Sequence, residues 1–412
     1  MEVKAFYDRY PYPPPVDDLE AYRRRWQDPP RRRADFHLFW PWRPYREDYS
    51  VLVAGCGTSQ AAKYAMRWPA AQVTAIDFST ASIEHTERLK RRYKLDNLQI
   101  RQIALEQVAE LQASFDQIVC TGVLHHLRDP DAGLRALRSV LAPHGAMHLM
   151  VYAPYGRSGI YMLQEFFRRV GFRPAQGDMN DLIGALKVLP PDHPLARLMH
   201  EAPDFRTEAA LADALLHPQD RAYSVPQLCQ FLRTNAVRFG RWLRQAPYSF
   251  QVGLLSRIPQ RQRDAPATPE DQHAAAELFR GTMVRHSAIV YRDDDPPSSD
   301  IGFASDSSDW LRYVPLRVPD TVVIQEQLPV GMAAVLINRA HTYKDIYLPI
   351  RPHEKRWLEA IDGKRMIGEL LSGKTERESA RSLFERLWWH DQVVFDASAA
   401  STNNEVESKD RL

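Results

Sequence analysis

The stretch Val51 to Ser59, Val-Leu-Val-Ala-Gly-Cys-Gly-Thr-Ser, followed by Val73-Thr74-Ala75-Ile76-Asp77, constrains the fold more than any other part of the chain. Val51, Leu52 and Val53 form the short apolar run of a parallel strand covered on both faces, and Gly55 and Gly57 allow a tight turn and close approach to a ligand. Helix formers from Thr58 to Met66 predict a helix whose first free amides face the space above that turn. A second strand over 72–76 then sets Asp77 at its carboxyl end, where an acidic side chain can accept both hydroxyls of a ribose. The pattern predicts an open α/β sheet with a nucleotide-type cofactor at its switch point.

The same unit continues downstream. A third strand is expected over 98–102. Phe115 to Gly122 reads as a fourth, running into Val123-Leu124-His125-His126-Leu127, and a helix over 131–141 ends at Pro143-His144-Gly145 before a fifth strand over 146–152. A dinucleotide fold wants Gly-x-Gly-x-x-Gly, and Gln60 occupies the third of those positions, which argues against a nicotinamide-dependent oxidoreductase.

From Tyr49 to Ala153 the chain resembles class I S-adenosylmethionine-dependent methyltransferases, on the glycine turn and on the "GVLHHL" and "LAPHG" steps. The resemblance implies a Rossmann-like seven-stranded α/β sheet and S-adenosyl-L-methionine as cofactor. By it, Asp77 holds the ribose, Gly55, Cys56, Gly57, Thr58 and Ser59 line the methionine part, and Thr121, Gly122 and Val123 flank the sulfonium. Phe78, Leu105, Glu106 and Tyr7 complete the implied cofactor set. Two positions depart from the family pattern. Ser59 stands where a third glycine is usual, and Ala104 fills the slot of the acidic residue that meets the adenine, with Glu106 or a backbone carbonyl as substitutes.

Before the first strand lies Phe6-Tyr7-Asp8-Arg9-Tyr10-Pro11-Tyr12-Pro13-Pro14-Pro15, which the prolines predict to be extended. A similar leader precedes the catalytic domain in some bacterial methyltransferases resembling protein lysine methyltransferases. In that role Tyr7, Tyr10 or Tyr12 closes the site; the alternative is an arm packed on the sheet edge.

The expected organisation is an N-terminal arm or cap over 1–48, a methyltransferase domain over 49–292, a linker over 293–312, a small α+β winged-helix-like domain over 313–397 and a disordered tail over 398–412. Amphipathic helices over 158–171, 179–189, 194–200 and 207–215 predict a helical lid insertion at 156–222. A second, smaller one is expected at 259–283. The sixth and seventh strands are expected over 237–243 and 286–291. In the C-terminal unit, strands are expected over 316–325, 333–338 and 392–395, with helices over 351–360, 366–371 and 376–388.

At 412 residues and 44% hydrophobic content the chain can build two or three cores. It has no apolar run of about 20 residues and no signal-peptide core, and Cys56, Cys120 and Cys229 form no paired motif, so a cytoplasmic enzyme without membrane span, disulfide framework or metal is expected. A formal charge of +2 gives no general reason to expect nucleic acid. Arg23–Arg25 and Arg31–Arg33, which bracket Trp26, are read as a solvated face rather than an anion site.

Candidates for handling a proton or orienting the acceptor are His126, Tyr152, His217, Asp220 and Tyr12. The loop His217-Pro218-Gln219-Asp220-Arg221-Ala222-Tyr223 carries most of this chemistry, although an Asp–Arg pair with a capping turn accounts for it equally well. The leading expectation is methyl transfer to a protein side chain or a small molecule. Ser59 and Ala104 leave open a protein that binds the cofactor without turnover.

Overall fold

The computed structural model describes residues 3–10, 12–172, 179–201, 207–295 and 301–400. By internal packing the chain divides into two units, one made of 1–23, 47–240 and 280–294, the other of 24–46, 241–279 and 295–412.

Seven strands form one sheet: β1 (Ser50–Ala54), β2 (Gln72–Asp77), β3 (Leu98–Gln102), β4 (Phe115–Thr121), β5 (Leu141–Tyr152), β6 (Val237–Trp242) and β7 (Arg285–Arg292), in the order β3-β2-β1-β4-β5-β7-β6. β1 pairs in parallel with both β2 and β4, so the order reverses at β1 and leaves a crevice at the carboxyl ends of these strands. β7 runs antiparallel to β5. Val51, Leu52, Val53, Ile118 and Val119 are wholly buried, as strands covered on both faces require.

Helices Gln60–Arg67, Thr80–Tyr93 and Pro130–Ser139 follow β1, β2 and β4, and the first and third fall where the sequence predicts them. Ser79 caps the second through its hydroxyl, and Asp129 caps the third before a proline in its first turn. Between β5 and β6 the helical insertion is present as Ser158–Arg169, Met179–Lys187, Pro194–Glu201 and Glu208–Leu216. Ile160, Leu163, Phe167, Leu182, Leu195 and Leu215 make its apolar centre.

The leader departs from expectation in one respect. Val3–Arg9 is a helix rather than an extended segment, because every proline of the leader lies beyond Tyr10 and leaves this turn free to coil. Phe6 is completely buried in the apolar centre of the insertion. Burial of such a ring stabilises by roughly 2–3 kcal/mol.

In the second unit, β8 (Val314–Arg317) pairs antiparallel with β12 (Val393–Asp396), while β9 (Thr321–Ile324), β10 (Ala334–Asn338) and β11 (Leu348–Ile350) form a separate antiparallel sheet. The single strand expected over 316–325 is therefore two strands in two sheets. The turn between them is closed by Thr321 N–H donating to the Val318 carbonyl. Helices Pro352–Ala360 and Arg377–Trp389 complete an α+β unit. The segment expected as helix over 366–371 is a short 3-10 turn, Ile367–Leu370.

Helix Pro29–Phe39 belongs to this unit through Arg33, 2.8 Å from Asp396, and His37, 3.3 Å from it. Arg31 reaches Asp320 and the Trp26 ring, and Arg32 donates to the Trp26 carbonyl, so part of the basic segment is engaged within its own unit. Phe303 packs on Phe395 at 5.5 Å, so tertiary packing begins inside the stretch read as linker. Residues 296–300 of that linker and 401–412 of the expected tail lie outside the described residues; Ala400 is buried. Among the described residues no helix is long and apolar enough to cross a membrane.

Candidate active site

The turn after β1 is built around two left-handed glycines, Gly55 with φ +69° and Gly57 with φ +52°. A Cβ on Gly55 would lie 2.3 Å from a Val123 methyl, so only glycine lets the turn pass beneath the loop leaving β4. Gly55 and Cys56 donate their amides to the Ile76 carbonyl, which ties the turn to the end of β2. There the Asp77 carboxylate accepts from Gly57 N–H and Ser79 N–H, each at 2.9 Å. Asp77 is buried, and that burial lifts its carboxyl pKa while the amide bonds oppose the rise.

Ser59 has a negative φ, −141°, and stands at the N-cap of Gln60–Arg67, so the backbone here does not demand the glycine usual at that position. Gln60 donates to Thr121 Oγ1 at 2.7 Å, fastening the start of this helix to the end of β4, where Gly122 is again left-handed. Thr58 Oγ1 donates to the Pro13 carbonyl, and Pro13 and the Tyr12 carbonyl fill the space beside Gly57. Burial pushes the Cys56 thiol well up, which keeps it protonated and unreactive. In the segment that follows β3, Leu105 is buried and Glu106 is exposed in the first turn of the 3-10 helix Leu105–Leu111. These residues fit a bound adenosyl group: the Cβ-free turn, the carboxylate at the end of β2 and the left-handed Gly122 together form a cradle.

Beside the cradle lies a buried polar cluster. Tyr7 sits between Phe78 and His126, each with its ring centroid 6.4 Å away, and its hydroxyl donates to Asp213 Oδ1 at 3.1 Å. Tyr152, at the end of β5, donates to the other Asp213 oxygen at 2.9 Å. Asp8 accepts from the Ser79 hydroxyl, so the leader helix is held at both the β2 end and the insertion. Tyr12 is half-buried and near enough to Tyr152 to influence its ionisation.

The main chain of Gln219 fixes two imidazoles. Its carbonyl lies 2.7 Å from His126 Nδ1 and its N–H donates to His217 Nδ1 at 3.1 Å, while the two rings face each other at 3.8 Å. His126 is thereby protonated on Nδ1 with its Nε2 lone pair available, and His217 carries its proton on Nε2. Burial lowers both to about 4, so both are neutral at pH 7. Arg157 lies 3.5 Å above the Tyr152 ring and pairs with Asp220 at 3.3 Å, and Gln164 donates to the same Asp220 oxygen. His217 Nε2 and Asp220 Oδ1 are buried without a hydrogen-bond partner among the described residues.

Of the residues singled out from sequence, His126, Tyr152, His217, Asp220 and Tyr7 converge in this cluster. Gly55, Cys56, Gly57, Thr58, Ser59, Asp77, Thr121, Gly122 and Val123 meet around the glycine turn, and Glu106 stands in solvent. Asp213 and Arg157 escape sequence reasoning. The available signal was an aspartate in Glu-Ala-Ala-Leu-Ala-Asp-Ala-Leu-Leu, a helix with too few polar residues to have a solvated face.

Residues 52–147 match the family model described as a methyltransferase domain. The solved structure of PKMT2 from Rickettsia typhi superposes with a TM-score of 0.63 at 16% identity, covering 93% of this chain and 76% of that one. The fold is that of the class I S-adenosylmethionine-dependent methyltransferases. The same Rickettsia typhi protein in complex with AdoHcy gives a TM-score of 0.60 at 14% identity, covering 93% of this chain and 77% of the other.

Among curated relatives, an uncharacterized protein of Synechococcus sp. is 36% identical over 250 residues, 58% of this chain and 58% of its own length. A ubiquinone biosynthesis O-methyltransferase of Xanthomonas campestris pv. campestris is 32% identical over 145 residues, 32% of this chain and 59% of the relative. The chain thus spans less than two thirds of the length of these relatives. In the methyltransferase fold described here, the insertion and the leader surround the carboxyl ends of β2, β4 and β5.

Proposed function

We propose that the chain is an S-adenosylmethionine-dependent methyltransferase that transfers a methyl group to a nitrogen or oxygen acceptor on a protein side chain or a small molecule. One observation carries the reading: the glycine turn and Asp77 adjoin a polar cluster made by Tyr7, His126, Tyr152, Asp213 and His217. The first supports cofactor binding, and the second supports an acceptor held out of water.

The cofactor supplies an activated methyl on a good leaving group. The work of the chain is then alignment and exclusion of water rather than covalent catalysis. Asp77 binds and orients the ribose. Gly55 and Gly57 keep the methionine side close to the backbone, and the leader covers the turn through Pro13 and Tyr12. An N–H or O–H acceptor must lose a proton, and His126 Nε2 offers a neutral lone pair in a ring oriented by the Gln219 carbonyl. His217 Nε2–H would donate to the acceptor; it is a buried donor without a hydrogen-bond partner among the described residues, which supports that role.

Incubation of the protein with methyl-labelled S-adenosylmethionine and lysate, separated afterwards into protein and small-molecule fractions, tests the reading. Label in one fraction, abolished by Asp77→Ala, is expected. Cofactor binding with no transfer to either fraction would favour the non-catalytic alternative.

A further inference from the structure

Asp213 is a carboxylate with an imbalance around it. It is 3% exposed and accepts from two neutral hydroxyls, Tyr7 and Tyr152, but no cation pairs with it among the described residues. The guanidinium nearby, Arg157, pairs with Asp220. His126, His217 and His125 are all held neutral by burial. Among the described residues the cluster therefore sets one guanidinium against two carboxylates, and an ionised Asp213 leaves one negative charge in excess.

A buried charge without a counter-charge is costly, by several kcal/mol even after relaxation. Burial accordingly raises the Asp213 pKa, opposed by His217, the Tyr152 hydrogen bond and Arg157 and reinforced by Asp220. A cation brought beside Asp213 would remove that cost. The group that bridges Asp213 to the cofactor cradle is Tyr7, whose ring stands between Phe78, the neighbour of Asp77, and His126, three residues beyond Thr121–Val123.

We propose that Asp213 is the counter-ion for the cationic part of the bound cofactor, a charge-selecting residue presented by the insertion and held in place by Tyr7 and Tyr152. This rests on the cofactor reading above. The cofactor carries two cationic groups, a sulfonium and an ammonium, and the chemistry Asp213 recognises is common to both. Contact with the sulfonium makes Asp213 favour the methyl donor over its demethylated product, contact with the ammonium makes it favour both over methylthioadenosine, and the leader contributes to this preference through Tyr7.

Calorimetric titration of the full chain and of Asp213→Asn with three ligands decides it: S-adenosylmethionine bears both cations, S-adenosylhomocysteine only the ammonium, and methylthioadenosine neither. The expected result is at least a tenfold loss of S-adenosylmethionine affinity in Asp213→Asn, with methylthioadenosine within twofold of the unsubstituted chain. An unchanged S-adenosylhomocysteine affinity assigns the contact to the sulfonium, and a parallel loss assigns it to the ammonium. Equal losses for all three ligands, or no loss for any, overturn the proposal. Asp213→Ser is a second neutral replacement should the asparagine variant not fold. Failure of the unsubstituted chain to bind any of the three would instead remove the cofactor reading itself.

Discussion

The Tyr7 hydroxyl donates to Asp213 at 3.1 Å, joining residues 206 positions apart. One end of this bond lies in the leader helix Val3–Arg9 and the other in the last helix of the insertion. Because Phe6 is buried in the same apolar centre, the two segments share one packing unit.

Tyr7→Phe leaves Asp213 with one donor and costs about 1–3 kcal/mol. The loss should fall on the leader. Amide hydrogen exchange over 3–9 should accelerate several-fold while exchange in β1 and β4 is unaltered, as read by mass spectrometry. Unchanged exchange in the leader would show that this hydrogen bond does not hold it.

Gly55→Ala combines a left-handed backbone with overlap on Val123, and roughly 2–4 kcal/mol of destabilisation is expected. Thermal melting measures it. The double variant Gly55→Ala, Val123→Ala should recover part of the loss, since only the steric component is relieved. No recovery would assign the whole cost to the backbone.

His126 and His217 are lowered to about 4 by burial, below the value near 6.5 of an unfolded imidazole. Between these limits the unfolded chain binds more protons, so stability is full above pH 6.5 and falls as the pH drops toward 4. The effect is on the order of 2–3 kcal/mol per imidazole. Denaturant melts from pH 7.5 to 4.5 should show this decline, and it should be shallower in a folded His126→Asn, His217→Asn variant. An identical slope in that variant would mean that neither ring is held neutral.

Much of the sheet was legible because its signals are local. A three-residue apolar run, two glycines and an aspartate at the end of the next strand define β1, the turn and β2 without reference to distant residues. The two-sheet arrangement of β8 and β9 was not, because Val318-Pro319-Asp320 reads as a break only when their separate partners β12 and β10 are known. The site divides in the same way. His126 and His217 could be named from sequence, but their facing rings depend on Gln219 folding back from the insertion. Asp213 was hidden because local pattern cannot tell that a helix such as Glu208–Leu216 turns its one internal acid toward two tyrosines from elsewhere in the chain.

We propose that the glycine turn and Asp77 form the cofactor site. Isothermal titration of S-adenosylmethionine into the full chain and into Asp77→Ala tests it most directly. One site per chain is expected, with affinity reduced about 30- to 100-fold in the variant, equivalent to roughly 2–3 kcal/mol for the lost charged hydrogen bonds to ribose. Absence of binding to the full chain, or the same dissociation constant in a folded Asp77→Ala, would contradict it.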